Sequence, residues 1–202
     1  MRIDSKTPPK VDSSYIEDER MLAFCAGRNL DLVVAEQANL HFVEGGEHDG
    51  MLAFPYQKRN GGVWQTRVKT GHDKPKYLDE PGALLHLYNP QFLGPHTDQV
   101  WFCEGEVDTL ILWQYDVPAV GISGSAKYGT VEFQQSFKLL FDKAEIISAV
   151  DNDAAGDVAH QDLVKAFGPK VKRFKMPEGM DVNDWHLADS EGLRKEIEKW
   201  RS

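Results

Sequence analysis

Apolar residues recur along the chain in three spacings, and each predicts a different element. The first stretch has helical spacing. It predicts one helix from about Tyr15 through Ile16, Arg20 and Phe24 toward Gly27, and a second from about Leu30 to Gln37 with Asp31 in its first turn. The next has the spacing of a hairpin: a strand at Met51–Tyr56, a turn at Lys58-Arg59-Asn60-Gly61-Gly62, and an alternating strand at Val63–Lys69. The remainder has short, mostly apolar runs at Val100–Cys103, Val117–Ile122 and Ile146–Val150, and a further strand at Val171–Phe174. Helical patterns lie among them at Thr109–Trp113, Phe133–Asp142 and Ala155–Phe167, and a charged helix at Leu193–Trp200 closes the chain. Strands without polar alternation that are followed by helices predict a parallel sheet covered on both faces. The fold class is therefore α/β, with a parallel, Rossmann-like sheet at 98–202. A small mixed α+β subdomain at 15–97 precedes it, after a mobile, proline-containing arm at 1–14.

Ligands of parallel sheets bind at the carboxyl ends of the strands. Two of these ends are acidic: Glu104-Gly105-Glu106-Val107-Asp108 after the first run, and Asp151-Asn152-Asp153-Ala154-Ala155-Gly156-Asp157 after the third. Glu104, Asp151 and Asp153 are thus predicted to converge on one edge of one sheet. In extended chain, Asp151 and Asp153 share a face. Carboxylates brought together repel one another unless a cation neutralises them, and hard oxygen donors suit Mg²⁺ or Mn²⁺ better than zinc. Asp157 is either a further carboxylate or a helix cap.

Glu-Gly-Glu-x-Asp after one strand and Asp-x-Asp-x-x-Gly after a later one resemble the TOPRIM domain of DNA primases and topoisomerases. Glu104–Leu110 is most similar to the bacterial and phage primase form. The segment Lys172–Trp185 resembles that family's third acidic loop, with Met180 where the pattern often carries Lys; on this basis Asp181, and after it Asn183 and Asp184, join the site. Pro75-Lys76-Tyr77-Leu78 and Leu87-Tyr88-Asn89 resemble the N-terminal part of the primase RNA-polymerase core. The resemblance spans roughly Tyr15 to Trp185.

The net charge of −9 argues against a general nucleic-acid coat protein but not against a local basic cleft. Arg67, Lys69, Lys74 and Lys76 form the densest cationic cluster, with Gln65, Arg67 and Lys69 on one strand face. Such a run is either a solvated face or a cradle for nucleotide and template phosphates. Lys127, in the small-residue loop Gly121–Lys127, is a further phosphate contact, although the loop lacks the pattern of a P-loop. The two cysteines, Cys25 and Cys103, lie in apolar surroundings, read as buried hydrophobes of a reducing compartment, and are too few for a zinc site. There is no signal peptide and no run long enough to span a membrane, so a cytoplasmic location in a bacterial or phage-infected cell is expected.

The resemblance implies a primase catalytic core that makes short RNA on single-stranded DNA from ribonucleoside triphosphates. Glu104, Asp151, Asp153 and Asp181 would be ligands of Mg²⁺ or Mn²⁺, and Glu104, Asp151 and Asp153 would be catalytic. Arg67, Lys69, Lys74, Lys76 and Lys127 would bind nucleotide or template. A replicative helicase and a separate zinc-binding module would be partners, and without that module priming would be weak or indifferent to sequence. Two other readings use the same residues: a TOPRIM nuclease, and a non-catalytic nucleotide or nucleic-acid-binding module. A topoisomerase would need a strand-passage domain with a nucleophilic tyrosine, for which there is no room in 202 residues.

Overall fold

The computed structural model describes residues 11–58, 62–71, 76–79, 81, 86–93, 97–122, 137 and 145–201. The tip of the expected hairpin, Lys74, Lys127 and the helix expected at Phe133–Asp142 (apart from Phe137, which is helical and buried) lie outside the described residues. The chain divides into two compact units, Met1–Leu84 and Leu85–Ser202.

The first unit begins with α1 (Ser13–Glu17), α2 (Glu19–Arg28) and α3 (Leu32–Gln37). The single helix expected from Tyr15 to Gly27 is two helices, and Ser13 and Ser14, expected in the arm, belong to the first. Asp18 makes the break. Its backbone is extended, and its carboxylate accepts hydrogen bonds from the amides of Arg20 and Met21, donors that open the second helix. Asn29 in the left-handed region (φ 49°), not Gly27, ends α2. An antiparallel sheet follows, in the order β1 (His41–Phe42), β2 (Leu52–Gln57), β3 (Val63–Lys69), β4 (Tyr77–Asp79). Pro55 cannot donate to a ladder, yet it lies within β2. It is tolerated because β1 pairs only with Leu52 and Ala53, so that beyond them β2 is an edge on that side. Phe54, fully buried, anchors the sheet through edge-on contacts with Phe24 and Tyr77 at ring-centre separations of 6.4 and 6.0 Å.

The second unit is built on a parallel sheet of β5 (Gln99–Cys103), β6 (Ala119–Gly121), β7 (Glu145–Ser148) and β8 (Val171–Arg173), in the order β6-β5-β7-β8. Its helices are α4 (Glu106–Gln114), α5 (Ala154–Phe167), α6 (Val182–Ala188) and α7 (Ser190–Trp200). Successive residues of β5 bury on opposite faces. Val100 and Phe102 join Val120, Ile146, Ala159 and Leu163 in one core. On the other face Trp101 packs against Phe174 and Trp200, with ring centres 4.7 and 6.3 Å apart. A strand buried on both sides has no solvent face to keep polar, which explains its unbroken apolar run. Helix α4 is buried at every position from Glu106 to Leu112, so it too is covered all round. Leu87, Tyr88 and Leu93, read from sequence with the first subdomain, belong to the second unit. Leu87 and Leu93 lie in its core, and Tyr88 exchanges two backbone hydrogen bonds with Gly121. Helix α6 was read as part of an acidic loop. Among the described residues, no helix is long and apolar enough to cross a membrane.

Replacing Asp18 with Ala should lower stability by about 1 kcal/mol, the usual worth of such a cap. Urea unfolding checks this: an unchanged midpoint would mean that the break between α1 and α2 does not depend on the cap.

Candidate metal centre and its supporting loops

Glu104 directly follows β5, and Asp151 and Asp153 lie just beyond β7, its parallel neighbour. Parallel pairing of Phe102 with Ser148 therefore brings both acidic segments to the same sheet edge. The electrostatics record their proximity. The Glu104 carboxyl is pushed up from 4.5 to about 7, first by burial and then by the charges of Asp151 and Asp153. Asp151 is pushed up from 3.8 to about 6, first by burial, then by Asp181, Asp153 and Asp184. Asp108, fully enclosed, is raised well above its ordinary value by burial and by Asp181. Among the described residues, the buried Oε1 of Glu104 has no hydrogen-bond partner.

The shared strand face invoked for Asp151 and Asp153 is not the reason they meet. Strand β7 ends at Ser148, and Asp153 is the N-cap of α5, where its Oδ1 accepts a 2.8 Å hydrogen bond from the Gly156 amide. Asp181 caps α6 in the same way through the Asp184 amide at 2.6 Å. Two of the expected metal ligands are thus also helix caps, an arrangement that fixes each carboxylate to a helix start. Gly156 is required by close approach: a Cβ there would lie 1.8 Å from the Asp151 carbonyl oxygen. Asp157 is neither cap nor member of this cluster; it lies in the first turn of α5 and pairs with Arg173 at 3.6 Å.

Hydrogen bonds staple the three acidic segments together. Asn152 donates its side-chain amide to the Met176 carbonyl at 2.6 Å and its backbone amide to the Met180 carbonyl at 3.2 Å, and its own carbonyl accepts from Gly179 at 3.1 Å. Asp108 Oδ1 accepts from the Asn183 amide at 2.9 Å, tying α4 to α6. The Thr109 hydroxyl donates to the Gly105 carbonyl at 2.7 Å. The sequence reading missed Asn152, Asp108 and Arg173. Asp108 and Asn152 carried a signal, since each lies inside an acidic motif.

The cationic cluster lies in the first unit. Arg67 is largely buried; it pairs with Asp79 at 3.3 Å and lies 4.5 Å over the Tyr77 ring, so its own sheet already engages its charge. Lys76 is exposed, and its carbonyl accepts from the amide of Thr70, beside Lys69. Lys74 and Lys127 lie outside the described residues.

Comparison with known proteins decides what this arrangement belongs to. Residues 101–186, which contain every acidic segment above, match the Toprim-like family. The chain is 32% identical over 155 residues to the Gene 57 protein of Mycobacterium phage D29, a match covering 74% of this chain and 97% of that one. The chain belongs to the Toprim-like family. It is also 29% identical over 194 residues to a DNA primase of Halalkalibacterium halodurans, covering 85% of this chain but 31% of that protein, so it spans about a third of that relative's length. The primase fragment of the bacteriophage T7 primase-helicase protein shares the fold, with a TM-score of 0.67 at 22% identity over 86% of this chain and 72% of that one.

Membership of this family implies a divalent cation. Among the described residues no three His, Cys, Asp or Glu side chains form a ready-made metal cluster. The donor set nevertheless fits a hard cation. Its oxygens all come from carboxylates, and those of Glu104 and Asp151 are pushed up first by burial and then by neighbouring carboxylates that oppose their ionisation. A cation would remove that opposition.

Burial and this repulsion together set a pH dependence. Between 4.5 and about 7 the folded chain holds a proton on Glu104 that the unfolded chain releases, and Asp151 does the same between 3.8 and about 6. Metal-free protein should therefore gain stability as the pH falls from 8 to 5. Thermal unfolding of wild type and Glu104→Gln across this range checks it: the variant should melt higher at pH 8 and lose the part of the rise near pH 7. Equal profiles would show that Glu104 does not feel its neighbours.

Proposed function

We propose that the chain is a DNA primase catalytic core that joins ribonucleoside triphosphates into short RNA on single-stranded DNA. One observation carries the reading. In a primase-core fold, Glu104 and the Asp151–Asp153 loop meet at the carboxyl ends of adjacent parallel strands, where their charges act on one another. Glu104, Asp151, Asp153 and Asp181 would hold Mg²⁺ or Mn²⁺. A bound divalent ion would supply neutralisation of charge on the triphosphate and on the departing pyrophosphate.

The residues themselves supply the rest. In each addition the 3′-hydroxyl oxygen of the growing strand bonds to the α-phosphorus of the incoming nucleotide, and the bond from that phosphorus to the pyrophosphate oxygen breaks. Glu104, held near 7, is suited to accept the hydroxyl proton when it is not itself a ligand. Asn152, bonded to Met176, Met180 and Gly179, and Asp108, bonded to Asn183, keep the acidic segments from drifting apart under their own repulsion. Lys69, Lys74, Lys76 and Lys127 are assigned to phosphates of template or nucleotide. Arg67 is assigned there with them, and Asp79 moderates its charge. The T7 relative's name as a primase-helicase protein supports a replicative helicase as partner. The family resemblance supports a separate zinc-binding module for template choice, and a cytoplasmic site of action.

The test combines single-stranded DNA, labelled ribonucleotides and Mg²⁺ or Mn²⁺ with wild type and with the Asp151→Ala/Asp153→Ala variant. Short labelled RNA should appear with wild type, and the variant should lose more than about 100-fold, since even residues behind the ligands are worth 10–100-fold in such sites. Metal-dependent degradation of the DNA without RNA synthesis would identify a nuclease instead. Unimpaired priming by the variant would exclude this mechanism.

A further inference from the structure

Strand β8 is an edge strand whose last residue, Arg173, pairs in parallel register with Ser148 of β7, three residues before Asp151. The Arg173 side chain is 10% exposed, although it lies at the sheet edge. Its two terminal nitrogens donate to backbone. One terminal nitrogen donates to the Asp151 carbonyl at 2.7 Å, and the other donates to the Gly156 carbonyl at 2.9 Å. The same guanidinium lies 3.6 Å from Asp157 and is close enough to Glu104, Asp151 and Asp153 to feel their charges. The two carbonyls bracket the segment that carries both aspartates and the start of α5. A planar fork with two nitrogens can bridge two carbonyls five residues apart, and a lysine ammonium, a single point, cannot do so in the same geometry.

We propose that Arg173 is a positioning residue for the metal centre: it clamps Asp151 and Gly156 by their carbonyls and so holds the Asp151 and Asp153 carboxylates in place for a divalent cation. The inference rests on the reading of that cluster as a metal centre. The roles open to Arg173 predict different signs. As a cation near another cation's site, Arg173 repels the ion, so a purely electrostatic role means that its removal tightens binding. As a clamp, it pre-organises the ligands, so its removal weakens binding by about 10–100-fold, the range for groups that orient ligands from behind. As a mere strut of the sheet edge, its loss lowers stability and leaves affinity unchanged.

The experiment is Mn²⁺ binding to the full chain, followed by the electron paramagnetic resonance signal of free Mn²⁺, for wild type, Arg173→Lys, Arg173→Met and Asp151→Asn/Asp153→Asn, with thermal unfolding of each. The expected result is weakening of at least about 10-fold in both Arg173 variants, the charge-retaining lysine included. Unchanged or tighter binding in Arg173→Lys overturns the proposal, and that variant alone decides if Arg173→Met does not fold. Binding by wild type that the double asparagine variant retains would overturn the metal-centre reading and this inference with it. Binding that the double variant abolishes and the Arg173 variants keep would overturn the inference alone.

Discussion

Like charges that the fold forces together govern the second unit. Parallel pairing of β5 with β7 leaves no freedom in where Glu104 and the Asp151 loop emerge, because both leave the sheet at the same edge. Burial then raises the energy of each ionised carboxylate, and its neighbours raise it again. A fold that assembled these groups without restraint would relax by letting the loops separate. The hydrogen bonds from Asn152 to Met176 and Met180, and from Asn183 to Asp108, close that route. The loops are thus held toward one another by covalent geometry and by hydrogen bonds, and the divalent cation that the family implies would relieve the remaining repulsion.

This division of labour explains why the site's supports are mostly uncharged. A second basic side chain aimed at each carboxylate would relieve the repulsion but would also compete with a metal for the same oxygens. Main-chain carbonyls, amides and one asparagine fix the loops without neutralising the acids. Arg173 is the informative exception. Its hydrogen bonds go to carbonyls, and it meets the Glu104, Asp151 and Asp153 carboxylates only through space. Its own ionised form is opposed by burial and favoured by Asp157, Glu104, Asp151 and Asp153, so loop and arginine hold each other in place.

What could be read from the sequence follows from how local each signal is. The strands at Gln99–Cys103 and Glu145–Ser148 were legible because burial on both faces makes successive residues apolar. The acidic strand ends were legible because motif and strand end coincide in sequence. The helix caps were not, because aspartate at a helix start and aspartate at a metal look alike when only residue types are known. Asp12, Asp18, Asp153, Asp181 and Asp189 all accept hydrogen bonds from amides at helix starts. Part of the chain's acidity is therefore capping chemistry. Helix α6 was missed for the same reason, its cap having been read only as an acidic loop. Arg173 was hidden more deeply. In Val171-Lys172-Arg173 it reads as one of two ordinary surface cations, and only the register of the edge strand shows that it turns inward while Lys172 turns out to pair with Glu145.

In the proposed metal centre, cap and ligand would be the same residue at Asp153 and at Asp181, and the caps govern how the site responds to change. Asp153 ties its position to the first turn of α5, and Asp181 to that of α6. Each helix buries residues in the unit's interior: Ala159 and Leu163 from α5, Val182 and His186 from α6. Displacing either carboxylate by an ångström therefore means unseating a cap or shifting a packed helix, and packed interiors resist such shifts. Precision at the sheet edge is inherited from the hydrophobic core, which is why Gly156, with no room for even a methyl group against Asp151, matters to the proposed centre as much as the acids that precede it.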